Sequence, residues 1–85
     1  MTEAANPPAV SVIVPLFNEE ESMSSLQSEL RTALGELHYE IIFVDDGSVD
    51  RTVERIEPAP HIRVIRFEKN TGQSAAIYVG LQAAL

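Results

Sequence analysis

The residues best suited to chemistry cluster where a short apolar run ends: Glu40-Ile41-Ile42-Phe43-Val44 stops at Asp45-Asp46-Gly47-Ser48-Val49-Asp50. Four consecutive β-favouring apolar residues predict a strand buried on both sheet faces, and Gly47 allows a sharp turn behind it. Two adjacent carboxylates at such a turn can bind a metal, accept hydrogen bonds from a ligand's N–H and hydroxyl groups, or cap a following helix. Ser48 and Asp50 are also capping types. Elsewhere, Phe17 offers an aromatic face suited to stacking on a planar base, or ordinary packing against the helix that follows it. Glu19 either joins the same ligand or complements a helix dipole. Lys69-Asn70-Thr71-Gly72, ahead of an expected helix, can meet an anion through backbone N–H groups and an ammonium.

The elements that must position these groups follow from hydrophobic periodicity. Val10–Leu16 reads as a first strand, with Pro15 near its end. From Glu19 to about Leu37, the residues Met23, Leu26, Leu30, Ala33, Leu34 and Leu37 recur at helical spacing. Asn18 is the expected N-cap, Glu19-Glu20-Glu21 an acidic first turn and Gly35 the stop. Glu40–Val44 is the second strand, and Asp50–Ile56 a short helix that Pro58 and Pro60 end. Ile62–Phe67 is the third strand, and a third helix starts near Gln73 or Ser74 and is still running at Leu85. Alternating strands and helices imply a parallel sheet, with every strand-to-helix loop at one carboxyl edge, where open α/β sheets bind ligands. Simple winding with both helices on one face gives strand order 3-2-1. That order leaves an apolar first strand at an edge, so a further neighbour is expected, and the chain reads as incomplete. Residues 1–9 are expected to be a flexible lead-in and 10–85 a single, incomplete nucleotide-binding unit.

Composition narrows the function. With 85 residues, 45% of them hydrophobic, one small globular domain or part of a larger one is the ceiling. The net charge of −7 disfavours nucleic acid as a partner, since phosphate contacts need a basic surface. Five of the six basic residues lie from Arg51 onward, which reads as a solvated surface of mixed sign. There is no cysteine, hence no thiolate metal site, and this fits a reducing compartment. The start Met1-Thr2-Glu3-Ala4-Ala5-Asn6 lacks the basic and apolar regions of a secretory signal. His38 and His61 have no partner at metal-ligand spacing, and neither a Gly-x-Gly-x-x-Gly nor a Walker loop occurs.

Three ordered segments, Val10–Glu20, Glu40–Thr52 and Phe67–Ala76, together resemble the family 2 glycosyltransferases, and the third is most similar to the polyprenyl-phosphate (dolichol-phosphate mannosyltransferase-like) sugar transferases. The resemblance implies the N-terminal βαβαβα part of a GT-A, Rossmann-like fold that binds a UDP- or GDP-sugar and transfers the sugar to an acceptor, here a polyprenyl phosphate. It places Pro15, Phe17 and Glu19 around base and ribose, Val44 and Asp46 against the nucleoside, and Asp45 in support. Lys69, Asn70 and Gly72 are additional candidates. Family members often carry tyrosine where this chain has Phe17; phenylalanine can still stack but has no hydroxyl with which to bind the ligand. The family's Asp-x-Asp motif, which holds Mg²⁺ or Mn²⁺ in the complete enzyme, is absent here, so the metal ligands and catalytic residues are expected downstream of Leu85. Membrane association is expected only through downstream segments, at the cytoplasmic face. The alternative is a non-catalytic nucleotide-binding or interaction module. A phosphoacceptor signalling domain fits less well, because its acidic pair should follow the first strand rather than the second.

Overall fold

The computed structural model describes residues 7–84; most of the expected lead-in, residues 1–6, and the helix end at Leu85 lie outside the described residues. Three parallel strands form the sheet: β1 (Val10–Leu16), β2 (Tyr39–Asp45) and β3 (Ile62–Arg66), in spatial order β1-β2-β3. The register runs from Val10 opposite Tyr39 to Leu16 opposite Asp45, and from Ile41 opposite Ile62 to Asp45 opposite Arg66. All three strands therefore finish level with one another, and their following loops share one edge.

Two helices cover the sheet, α1 (Met23–Leu34) and α2 (Gln73–Ala84), and they lie on opposite faces rather than on one. Ile41 and Phe43 pack with Leu16, Met23 and Ile56 beneath α1. Ile42 and Val44 pack with Ala76 of α2 on the other face. A helix layer on each side is the physical reason for the unbroken apolar run in β2, and each of Ile41–Val44 is at most 3% exposed. The same two layers account for the apolar run of β1, since Val12 and Val14 join the α1 cluster and Ile13 joins the α2 cluster. From β3 the chain crosses back so that α2 rests on β1 and β2. Gly80 permits this approach: a β-carbon there would lie 2.4 Å from Ile13 Cγ2 and 3.3 Å from Val44 Cγ2.

Two expected helices are shorter than periodicity implies. α1 begins at Met23 instead of Glu19, with Ser22 rather than Asn18 in the cap position and no acid in its first turn. Met23, Leu26, Leu30 and Leu34 face the core, but Ala33 and Leu37 are exposed, and the helix stops at Gly35 as expected. The anticipated helix over Asp50–Ile56 is a single 3₁₀ turn, Val53–Arg55. Gln27, which breaks the apolar stripe of α1, binds this turn. Its amide nitrogen donates to the carbonyls of Met23 (3.0 Å) and Arg55 (2.9 Å), and its Oε1 accepts from the Glu57 N–H at 2.8 Å. A buried amide with its hydrogen bonds met in this way fixes the connection without further helix.

Candidate nucleotide-binding crevice

The three strand-to-helix loops enclose a crevice of about 250 Å³ at the carboxyl end of the sheet. Pro15, Leu16, Phe17 and Glu19 line it from the β1 loop, Asp46 from the β2 loop, and Asn70, Gly72 and Gln73 from the β3 loop. Six of the residues singled out from sequence thus meet here. The other three do not line it: Val44 is fully buried in the core between β1 and β3, which corrects its expected place against the nucleoside, Asp45 is fully buried, and exposed Lys69 lies outside the lining.

Asp46 is only 4% exposed, and its carboxylate joins two loops. Oδ1 accepts from the Thr71 N–H at 2.7 Å and the Thr71 hydroxyl at 2.9 Å, and Oδ2 accepts from the Gly72 N–H at 2.8 Å. The backbone donors ahead of α2 are thereby engaged by a protein carboxylate, which corrects the expectation that they meet a bound anion. The Thr71 N–H draws the Asp46 carboxyl below its ordinary value; desolvation opposes, and the Thr71 hydroxyl and Gly72 N–H add to the lowering.

Asp45 has a purely internal role: Oδ2 accepts from the Ser48 N–H at 2.9 Å and Oδ1 from the Ser48 hydroxyl, while the exposed Arg66 guanidinium stands 3.9 Å away. Ser48, expected as a helix cap, instead serves the β1 loop, and Asp50 serves both: its Oδ1 accepts from the Thr52 N–H (2.9 Å) at the head of the 3₁₀ turn and its Oδ2 reaches the β1 loop. The Asn18 N–H donates to Ser48 Oγ (2.8 Å), the Glu19 N–H to Thr52 Oγ1 (2.7 Å) and the Glu20 N–H to Asp50 Oδ2 (3.3 Å). In return Asn18 Oδ1 accepts from the Val49 N–H at 3.0 Å, with Asn18 in the left-handed region at φ 50°. Asparagine tolerates that region better than most residues. These bonds anchor the β1 loop to the β2–β3 connection; the Ser22 N–H closes a single turn on the Glu19 carbonyl (3.0 Å), and α1 starts at Met23.

Burial pushes the Asp50 carboxyl up, yet hydrogen bonds from the Thr52 hydroxyl, the Thr52 N–H and the Glu20 N–H outweigh it, and the net shift is downward. Carboxyls held below 3.8 in the fold are protonated earlier in the unfolded chain. Their stabilisation is therefore complete above the unfolded value and lost as pH falls through the folded one. Urea midpoints should stay level near neutrality and drop between about pH 5 and 2. The drop should be shallower in Asp50→Asn, and an equal slope in that variant would refute the assignment.

Thr52 and Gln27 were not singled out by sequence reasoning, while Asn18 was expected as a helix cap and Thr71 as part of an anion-meeting segment. The spacing Asp45-x-x-Ser48-x-Asp50-x-Thr52 is the signal that could have found part of this set, because short polar side chains two and three residues apart bind local backbone. In total the crevice offers an exposed aromatic face (Phe17, 43% exposed), two carboxylates and two amides. It is built to accept hydrogen bonds from a planar, donor-rich group. Among the described residues no group of three or more His, Cys, Asp or Glu side chains is placed to hold a metal ion.

Known proteins resemble this chain in sequence and in fold. Dolichol-phosphate mannosyltransferase of Pyrococcus furiosus is 42% identical over 78 residues, which is 88% of this chain and 22% of that protein. Undecaprenyl-phosphate 4-deoxy-4-formamido-L-arabinose transferase of Pectobacterium carotovorum is 40% identical over 83 residues, 89% of this chain and 25% of that enzyme. A mannosyltransferase from Pyrobaculum calidifontis, solved with GDP-Man and Mn²⁺, superimposes with a TM-score of 0.77 at 20% identity, covering 100% of this chain and 27% of that one. The chain thus spans about a quarter of the length of these proteins, and its α/β fold is that part of a GT-A glycosyltransferase. The model of glycosyl transferase family 2 matches residues 11–85, and the chain belongs to that family.

Proposed function

We propose that the crevice binds the nucleoside part of a UDP- or GDP-sugar, and that the chain supplies the donor-binding part of a transferase whose acceptor is a polyprenyl phosphate at the cytoplasmic membrane face. The observation that carries this is the convergence of Phe17, Glu19 and Asp46 with Asn70 and Gly72 at one sheet edge. Phe17 stacks on the base and Glu19 accepts hydrogen bonds from base N–H or ribose hydroxyl groups, while Asp46, with Oδ1 taken by Thr71, has only the second lone pair of Oδ2 to offer the ligand. Pro15 shapes the floor, and Asp45 supports the turn from beneath.

Transfer joins a phosphate oxygen of the acceptor to the anomeric carbon of the sugar and breaks that carbon's bond to the nucleoside diphosphate. A phosphate monoester with a second pKa of about 6 is largely ionised at neutral pH, so the attacking oxygen needs no strong base. The solved neighbour carries Mn²⁺, and the described residues of this chain do not form a metal site. The second reading is nucleotide binding by this chain without transfer.

Titrating the chain with UDP and with GDP while following amide shifts tests the site. Shifts are expected at Phe17, Glu19 and Asp46, and no response at millimolar nucleotide would overturn the proposal. A transfer assay with a nucleotide-sugar and a polyprenyl phosphate separates the two readings once binding is seen.

A further inference from the structure

Three consecutive backbone donors of the β1 loop, on Asn18, Glu19 and Glu20, are held by side-chain oxygens from the β2–β3 connection, about 30 residues away. Two of these oxygens are hydroxyls with the same arrangement on either side. Ser48 Oγ accepts from Asn18 and donates to the buried Asp45 carboxylate. Thr52 Oγ1 accepts from Glu19 and donates to the Asp50 carboxylate. An amide N–H can only donate and an ionised carboxylate can only accept, so each hydroxyl has one possible orientation. Both are removed from water, Ser48 at 5% and Thr52 at 0% exposure, where such bonds are stronger and their loss costs more.

We infer that Ser48 and Thr52 are positioning residues for the nucleotide, acting as paired amide–hydroxyl–carboxylate relays that hold Phe17 and Glu19 in their binding geometry. The inference rests on the nucleotide-binding reading of the crevice. Neither hydroxyl needs to touch the ligand. Each fixes a backbone unit adjoining a residue that does: Phe17 precedes the Asn18 anchor, and Glu19 is itself the Thr52 anchor. A loop held before the ligand arrives does not have to be ordered on binding, and that saving appears as affinity.

The test compares Thr52→Val, which keeps the shape and removes the hydroxyl, with Thr52→Ser, which keeps the hydroxyl. Amide exchange at Asn18, Glu19 and Ile42–Val44 is followed together with UDP and GDP affinity. Thr52→Val should speed exchange at Glu19, leave Ile42–Val44 protected and weaken nucleotide binding about tenfold, with Thr52→Ser within about threefold of wild type. Undiminished affinity in Thr52→Val, or a Thr52→Ser variant as weak as Thr52→Val, overturns the positioning role alone. No binding by the wild-type chain overturns the nucleotide reading, and the positioning role with it. Should Thr52→Val also lose protection at Ile42–Val44, Ser48→Ala decides: faster exchange at Asn18 with weakened binding supports the relay, and wild-type affinity refutes it.

Discussion

Replacing Gly47 with alanine is expected to destabilise the chain by about 2–5 kcal/mol, lowering the urea midpoint by at least roughly 1 M. Two independent effects add. Gly47 has φ 82°, a region in which a β-carbon costs about 1–2 kcal/mol. That β-carbon would also lie 2.5 Å from the Lys69 carbonyl carbon and 2.7 Å from Asn70 N and Lys69 Cα. These are main-chain atoms, which cannot rotate aside as a side-chain end would, so the β2 and β3 loops must separate. Their separation pulls Asp46 away from Thr71 and Gly72, and the variant should lose nucleotide response together with stability. A midpoint within a few tenths molar of wild type, measured by circular dichroism, would show that the two loops are not in close contact.

The loop contact at Gly47 lies at the boundary of what was legible in the sequence. The three strands were readable because β-branched runs such as Ile41–Val44 and Ile62–Ile65 carry their own signal, and the common edge follows from alternation with helices. The meeting of Phe17, Glu19 and Asp46 was readable for the same reason, since each stands just after its strand. The start of α1 was not. Glu19-Glu20-Glu21 has the local chemistry of a first turn, but Asn18 sits at φ 50° with its N–H on Ser48 and its side chain on Val49, and residues 19–22 form one separate turn before α1. The expected helix over Asp50–Ile56 failed similarly, because Asp50 turns back on the Thr52 N–H (2.9 Å) and Gln27 takes the Arg55 carbonyl and Glu57 N–H. In both places a tertiary hydrogen bond outweighs a local propensity worth a few tenths of a kcal/mol per residue, roughly. Val44 illustrates a different gap. Its burial follows from the apolar run, but the resemblance set it against the nucleoside, whereas α2 on the second face encloses it with Ile42 and Ala76, away from the crevice.

Asp46→Asn should free the first turn of α2 and weaken nucleotide binding at least about tenfold, although the substitution changes hardly any volume. The carboxylate receives three donors, two on Oδ1 from Thr71 and one on Oδ2 from Gly72. An asparagine presents one acceptor oxygen and one donor nitrogen. Whichever way it is turned, an N–H₂ group faces either the Thr71 or the Gly72 N–H, and that donor is left without a partner at a site too buried for water to replace it freely. Release of Gly72 matters most, because its carbonyl accepts from the Ala76 N–H at 3.2 Å in the opening turn of α2, and Asn70 and Gly72 both line the crevice. Amide exchange should quicken at Thr71, Gly72 and Ala76, while the β2 amides of Ile42–Val44 remain protected. Acid offers a second route to the same state in the wild-type chain: protonating Asp46 places a hydrogen on one carboxyl oxygen and removes one acceptor. Thr71 and Gly72 amide shifts in acidified wild type should therefore move towards those of Asp46→Asn at neutral pH. If the neutral variant keeps wild-type shifts at both residues, the carboxylate does not hold the β3 loop, and its acceptors are free for a ligand instead.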